Sequence, residues 1–166
     1  MSHQPRETFR AAIEEGTRRL ERKTPELLAT GAVGGIDVGT GVLALLVVKQ
    51  ATGNTLLAAL AFSVGFIALT LAGSELFTEN FLVPVAALVA GKARLPSIGR
   101  LWGGTLVSNL VGGWVLMGIV MVAYPKLSPV AVEIGSAYPK LGIGWVSFAG
   151  ALLGGVVITL MTWMEQ

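Results

Sequence analysis

The sequence predicts an all-α polytopic membrane protein, and three observations support this fold class. The 166 residues are 53% hydrophobic and only 13% charged, whereas about a quarter of the residues in soluble domains are charged. The mean hydropathy is +0.71. The apolar residues also gather into four long segments, each with the length that a helix needs to cross a hydrocarbon core about 30 Å thick.

The composition also limits the function classes. The sequence has no cysteine and a single histidine, His3, in its polar N-terminal region, which excludes disulfides and thiolate metal sites. It contains no serine–lysine or paired-aspartate motif and no metal-ligand spacing, so we predict no catalytic residue, metal or cofactor, and an enzyme is disfavoured. Because the basic residues do not cluster with aromatic ones, no nucleic-acid partner is expected.

Residues 1–24 predict an amphipathic helix. Phe9, Ile13, Gly16 and Leu20 recur at helical spacing among arginines and glutamates. We expect this helix to dock on the rest of the protein. A helix lying on the membrane surface is the alternative, which the mixed charge of the segment disfavours.

The transmembrane domain is predicted over residues 25–166, and its first span covers about 25–48. Pro25 suits the first position of this helix, where its missing N–H is not needed. Asp37 lies inside the span. An ionisable residue within a bilayer is a functional candidate, although a buried partner on a neighbouring helix explains Asp37 equally well.

The second apolar segment, residues 55–91, is too long for one straight helix, which would measure about 55 Å. It must break, and GSELFTEN, residues 73–80, is the predicted break. Irregular backbone is tolerated in a bilayer only where it is buried in protein or lines a wet cavity, and discontinuous helices recur at substrate sites. The half-helix after the break is expected to begin near Asn80, a good N-cap residue.

The residues of the break have two interpretations each. Glu75 is more easily explained as a structural acceptor for loose N–H groups of the loop than as a catalytic group, and Glu79 as a second anchor. Leu76 and Phe77 are either ordinary packing residues or apolar gates. Thr78 either bonds to the backbone or turns its hydroxyl toward a pathway.

The third and fourth spans are predicted at residues 101–123 and 141–164. Asn109, inside the third span, is typical of a hydrogen bond between helices. The glycines also have small-xxx-small spacing, which lets helices approach closely; they are Gly31, Gly35 and Gly39 in the first span and Gly150 and Gly154 in the fourth.

The basic residues predict the topology. With a single, broken second crossing, nine lysines and arginines of the N-terminal region and of loop 92–100 lie on one side of the membrane. Only three, Lys49, Lys126 and Lys140, lie on the other. Since cytoplasmic loops carry the excess of basic residues, four spans with a cytoplasmic N-terminus are expected.

Three motifs resemble the formate/nitrite transporter family. AFSVGFIALTLAGSELFTEN, residues 61–80, resembles the second helix and Ω-loop of that family, whose pattern of glycine, small residue, acid and Leu-Phe-Thr is matched by residues 73–78. SNLVGG, residues 108–113, resembles the third-helix motif, with Asn109 as its asparagine, and MTWM, residues 161–164, resembles the end of the fourth helix. The resemblance runs over most of residues 25–164.

This resemblance implies an aquaporin-like helical bundle and a homo-pentamer in the lipid of the cell inner membrane. Each protomer of the family has six helices in two inverted repeats and its own pore for small monovalent anions such as formate or nitrite. The residues implied for the transport pathway are Phe62, Leu76, Phe77 and Thr78. The residues expected to support the loop are Glu75 and Asn80, from their residue types, and Asn109. Lys140 is the vestibule cation that the resemblance implies, at a slightly different spacing.

Two departures from the family pattern qualify these expectations. The family's pore histidine lies in a fifth helix, which residues 1–166 do not reach, and Gly155 stands in place of the fourth-helix asparagine. On this resemblance the chain holds one repeat and the first helix of the second, so we expect it to be truncated and not to transport by itself. The alternative is a four-span structural membrane subunit or an inactive fragment.

Overall fold

The computed structural model describes residues 4–164, and within that range the chain is helical, with no strand. His3 lies outside the described residues. The described helices are α1 (Gln4–Glu21), α2 (Thr24–Thr52), α3 (Thr55–Ala61), α4 (Ser63–Ala72), α5 (Val83–Val89), α6 (Leu95–Ala123), α7 (Ser128–Gly135), α8 (Ala137–Leu141) and α9 (Trp145–Met164), with 3₁₀ turns at Phe77–Phe81 and Pro125–Leu127.

Four helical stretches of the described chain have the length and composition to cross a membrane. They are Thr24–Thr52, Thr55–Ala72, Leu95–Ala123 and Trp145–Met164. The prediction of an all-helical protein with four membrane-capable helices is therefore confirmed.

The paired helices α2 and α6 form the centre of the structure and approach through glycine. A Cβ built on Gly35 would overlap the backbone carbonyl of Asn109, and one built on Gly31 would overlap the side chain of Ser108. A Cβ on Gly39 would press on a leucine of α6. The close approach predicted from these three glycines is confirmed, and at Gly35 the backbone of the facing helix itself occupies the space that a Cβ would need.

The glycines of α9 have a different environment. In residues 4–164 no atom lies within 4 Å of a Cβ built on Gly150 or Gly154. Their spacing therefore remains a prediction of helix contact.

Two helices begin at positions that hydropathy alone does not indicate. α6 starts at Leu95, six residues before the apolar run at 101, because Pro96 lies in its first turn, where proline is favoured. α9 starts at Trp145 and is separated from α8 by Gly142, whose φ of 61° lies in the left-handed region.

The expectation that Asn80 caps the helix after the break is wrong. Asn80 lies inside the 3₁₀ turn Phe77–Phe81, and α5 begins at Val83 with Pro84 in its first turn. Proline suits this turn because the first amides of a helix have no intrahelical partner. The Asn80 side chain instead bonds to α1 and α6.

The N-terminal helix α1 packs against α5. Ala12, Val83 and Ala86 form one buried apolar cluster between them. Gly16 lies so close to Val83 that an added Cβ would overlap its carbonyl group. Leu20 contributes to a second cluster, which includes residues of α5 and α6. These contacts bring the charged face of α1 to the chain between α4 and α5.

Candidate functional site

Residues 73–82, here called the connecting segment, join α4 to α5 and contain GSELFTEN. α4 ends at Gly73, whose φ of 59° places it in the left-handed region that favours glycine. The segment contains buried polar side chains: Glu75 is 1% exposed, Glu79 6% and Asn80 0%. Buried polar groups require partners, and helices α1, α2 and α6 supply them.

Asn109 of α6 bonds to the connecting segment and to α2 at once. Its Oδ1 accepts the backbone N–H of Phe77 at 2.7 Å. Its Nδ2 donates to the backbone oxygens of Gly31 at 2.6 Å and of Glu75 at 2.9 Å. Because this amide uses its acceptor and both donors, it holds three parts of the chain in one arrangement.

Asp37 of α2 also contacts the connecting segment. Ser74 Oγ donates to Asp37 Oδ2 at 2.6 Å, and both residues are buried. The Glu75 backbone N–H donates to Thr30 O at 3.4 Å. The buried partner expected for Asp37 thus lies on the connecting segment and not on a neighbouring helix.

Two arginines pair with the acids of the segment: Arg19 of α1, and Arg22 in the short link between α1 and α2. Arg22 Nη1 lies 2.5 Å from Glu75 Oε1, and Arg19 Nε lies 3.7 Å from the same oxygen. Arg19 Nη1 contacts Glu79 Oε2 at 3.4 Å and Asn80 Oδ1 at 3.1 Å. A buried carboxylate without a cationic partner is strongly unfavourable, so these arginines explain how two acids are accommodated there.

Arg19 is itself buried, with 8% exposure. Burial lowers the pKa of Arg19, but the hydrogen bond to Glu15, at 2.7 Å, and the charges of Glu79 and Glu75 outweigh burial and raise that pKa above its usual value. Arg19 therefore remains a cation in the physiological pH range.

The 3₁₀ turn is also fixed to α6. Trp102 Nε1 donates to the Asn80 backbone oxygen at 2.8 Å, and Asn80 Nδ2 lies 3.4 Å from Thr105 Oγ1. The ring of Phe81 lies 4.7 Å from that of Trp102 and 5.1 Å from that of Phe77, centre to centre. These contacts connect Phe77 to α6 through a row of aromatic rings.

A cavity of about 460 Å³ lies on the side of the connecting segment that faces away from α1. Its lining includes Phe62, Leu76, Phe77 and Thr78, the four residues that the sequence suggested for a pathway, together with Asn109 and residues of α2 and α6. Thr78 also lines a second cavity, of about 900 Å³, between the 3₁₀ turn and α9.

The remaining predicted residues lie elsewhere. Glu75 does not line the cavity of Phe62, and Glu79 faces a third cavity, of about 590 Å³, beside Glu15 and Arg19 of α1. Lys140 is exposed on α8 and lines none of these three cavities.

Sequence reasoning missed Arg19, Arg22, Ser74 and Trp102. The first two had a signal, since two acids in an apolar segment require cations and the preceding helix is rich in arginine. Ser74 and Trp102 had no such signal in the sequence, because their partners, Asp37 and Asn80, are distant in sequence.

Comparison with known proteins decides the family. The family model described as formate/nitrite transporter matches residues 6–166. The chain belongs to the formate/nitrite transporter family. With its four membrane-capable helices it is a multi-pass membrane protein, and its family is one of channels and transporters rather than enzymes.

Three relatives illustrate the range of this family. The chain is 29% identical over 164 residues to the inner membrane protein YfdC of Escherichia coli (strain K12), and the match covers 91% of this chain and 51% of YfdC. It is 32% identical over 114 residues to the uncharacterized transporter YrhG of Bacillus subtilis (strain 168), and the match covers 65% of this chain and 43% of YrhG. It is 30% identical over 128 residues to the formate channel BtFdhC of Bacillus thuringiensis, and the match covers 74% of this chain and 47% of BtFdhC. The chain spans about half the length of these curated relatives.

Proposed function

We propose that this chain forms part of a transmembrane pathway for small monovalent anions of the formate or nitrite type. The observation that supports this most directly is the cavity of about 460 Å³ lined by Phe62, Leu76, Phe77 and Thr78. It occurs in a member of the formate/nitrite transporter family, and one relative is named a formate channel.

The connecting segment is the proposed Ω-loop of a discontinuous second span. In this arrangement α3, α4 and α5 together make one crossing, interrupted at residues 73–82. Support comes from the bonds that Asn109 and Asp37 make to the segment, because irregular backbone at membrane depth needs partners within the protein.

Selection in this pathway rests on size and polarity. Phe62 and Leu76 form an apolar constriction, and Phe77 and Thr78 face the passing anion. The Thr78 hydroxyl and the loop amides replace part of the lost hydration. A bare anion in an apolar passage is strongly disfavoured, so a weak acid crosses more readily once it is neutralised.

The surroundings of the pathway complete the proposal. Glu75, Asn80 and Asn109 support the loop, and Lys140 is a vestibule cation that attracts anions. The protein lies in the lipid of the inner membrane as a homo-pentamer, with one pore in each protomer and a cytoplasmic N-terminus. The excess of basic residues in the N-terminal region and in loop 92–100 supports this orientation.

Substitution of Thr78 tests the proposal. In proteoliposomes of the complete protein that contains this chain, we expect Thr78→Ala to lower the initial rate of formate or nitrite uptake about tenfold. A hydrogen bond to an ion contributes about 1.5 to 3 kcal/mol, and a barrier higher by 1.36 kcal/mol slows a step about tenfold.

The matched control is Thr52→Ala, an exposed threonine at the end of α2 whose hydroxyl bonds only to its local backbone; its uptake rate is expected to stay unchanged. Equal uptake by Thr78→Ala and the unaltered protein would remove Thr78 from the pathway. No uptake of either anion by the well-folded, unaltered protein would instead favour a structural membrane subunit.

A further inference from the structure

The acids of the connecting segment bracket the residues that line the cavity. Glu75 and Glu79 stand at either end of Leu76, Phe77 and Thr78. Both carboxylates are buried against α1, whereas the three residues between them line the cavity on the other side. The segment therefore has one face held by α1 and one face directed toward the cavity.

The cations for both acids come from α1 and from the residue that directly follows it. Arg22 bonds to Glu75, and Arg19 contacts Glu79 and the neighbouring Asn80. The two arginine side chains are only 13% and 10% exposed. The pair of Arg10 with Glu14 on the same helix is different, because those side chains are 80% and 71% exposed. Arg19 and Arg22 are thus set apart from the solvated charges of α1.

The backbone of α1 is also held in place. The contact of Gly16 with the Val83 carbonyl and the buried cluster around Ala12 fix α1 against α5. A docked helix restricts where its side chains reach, so Arg19 offers its charge at a defined position. Arg22 is the first residue after α1, and its backbone N–H donates to Arg19 O at 3.4 Å, which keeps it beside the docked helix. Two points of attachment also prevent the segment from rotating about a single bond.

We propose that Arg19 and Arg22 are positioning residues, which hold the connecting segment by its two carboxylates so that Leu76, Phe77 and Thr78 face the cavity. This inference rests on the proposed function of that segment as the wall of an anion pathway. It assigns α1 and the residue that follows it, which lie outside the four membrane-capable helices, a role in the shape of the pathway.

Asn109 and Asp37 allow the positioning role of the arginines to be distinguished from a general contribution to folding. They bond to the segment from α6 and α2 and do not involve α1. Loss of one arginine therefore leaves the fold anchored while the α1 side of the segment is released. The cavity of about 590 Å³ between α1 and the segment provides space for such movement.

Hydrogen exchange measures this release without reference to transport. In the complete protein that contains this chain, reconstituted in nanodiscs, we expect Arg22→Ala and Arg19→Ala to raise amide exchange in residues 75–81 at least tenfold. Exchange within α6 stays unchanged. Arg10→Ala is the control and leaves both regions as they are. Unchanged exchange in residues 75–81 of both arginine variants would overturn the inference.

Uptake kinetics then test the positioning role. Arg22→Ala is expected to lower the maximal uptake rate per protein molecule about tenfold with little change in the half-saturation concentration, and Arg22→Lys to restore much of it. The charge exchange Arg22→Glu with Glu75→Arg is expected to transport faster than either single variant. A merely structural role predicts less folded protein with normal uptake per molecule, and that result would overturn the proposal.

The two measurements also separate this inference from the function on which it rests. If the unaltered protein transports anions and segment exchange does not respond to the arginines, only the positioning role fails. If exchange responds but the unaltered protein transports neither anion, the proposed function fails, and the positioning role fails with it.

Discussion

Asn109 shows how much of the site depends on single side chains. It is one residue of a long apolar helix, yet it makes three hydrogen bonds that join α6, α2 and the connecting segment. Glu75 is similar, since its backbone oxygen bonds to Asn109 while its carboxylate bonds to Arg22. Each residue holds the segment on a different side, so their losses have different consequences.

Replacement of Asn109 tests its share in stability. Asn109→Ala leaves the Phe77 N–H and the Glu75 backbone oxygen without this partner, and each unsatisfied group costs about 1 to 3 kcal/mol. The Gly31 oxygen lies inside α2 and keeps its helical bond. We expect the purified protein to lose at least about 2 kcal/mol of stability, measured as a fall in Tm in detergent.

The control is Asn54→Ala, which removes an exposed N-cap from α3 and costs about 1 kcal/mol. A Tm for Asn109→Ala equal to or above that of Asn54→Ala would contradict the central role given to Asn109.

At the scale of elements, the sequence predicts the apolar helices, but it predicts only part of the connecting segment. The excessive length of segment 55–91 predicts a break, and GSELFTEN locates it, because asparagine and glycine oppose a helix and two carboxylates oppose burial in apolar surroundings. The spacing of Gly31, Gly35 and Gly39 likewise predicts close helix approach. These features are local, so a single sequence reveals them.

The partners of the segment could not be predicted in the same way. Ser74 and Asp37 are 37 residues apart, and Arg22 and Glu75 are 53 apart. Such pairs depend on how the helices are arranged in space, which local periodicity does not specify. Asn80 illustrates the limit: its residue type suggests a helix cap, but tertiary bonds to α1 and α6 take its side chain instead.

The α2–α6 interface yields a prediction of its own. Alanine is normally preferred over glycine inside a helix by about 1 kcal/mol, but at Gly35 its Cβ would overlap the Asn109 backbone. We expect Gly35→Ala to destabilise the protein by about 1 to 3 kcal/mol, as overpacking does, with a corresponding fall in Tm.

Gly118→Ala on α6 is the matched control, because no described atom lies within 4 Å of a Cβ built there. Its Tm is expected to stay equal or rise slightly. A rise in Tm for Gly35→Ala would show that α2 and α6 are not packed as closely as described.

At the scale of the whole molecule, hydrogen bonds at opposite ends of α2 and α6 join these helices to the neighbouring parts of the chain. At one end Arg100 Nη2 donates to Leu20 O at 2.7 Å, which joins α1 to the start of α6. At the other end Gln50 Nε2 donates to Lys126 O at 2.8 Å, which joins the end of α2 to the turn after α6. The basic excess lies at the first end, so the proposed orientation places α1 in the cytoplasm.

Cysteine labelling tests this orientation, because residues 1–166 contain no cysteine to interfere. Glu21→Cys and Ala51→Cys place single thiols at exposed positions near opposite ends. In sealed spheroplasts, a membrane-impermeant maleimide is expected to label Ala51→Cys and to leave Glu21→Cys unmodified. After permeabilisation both should be labelled to the same extent, which shows that each thiol is reactive. Labelling of Glu21→Cys in sealed spheroplasts would invert the topology and place the arginines that hold the connecting segment outside the cytoplasm.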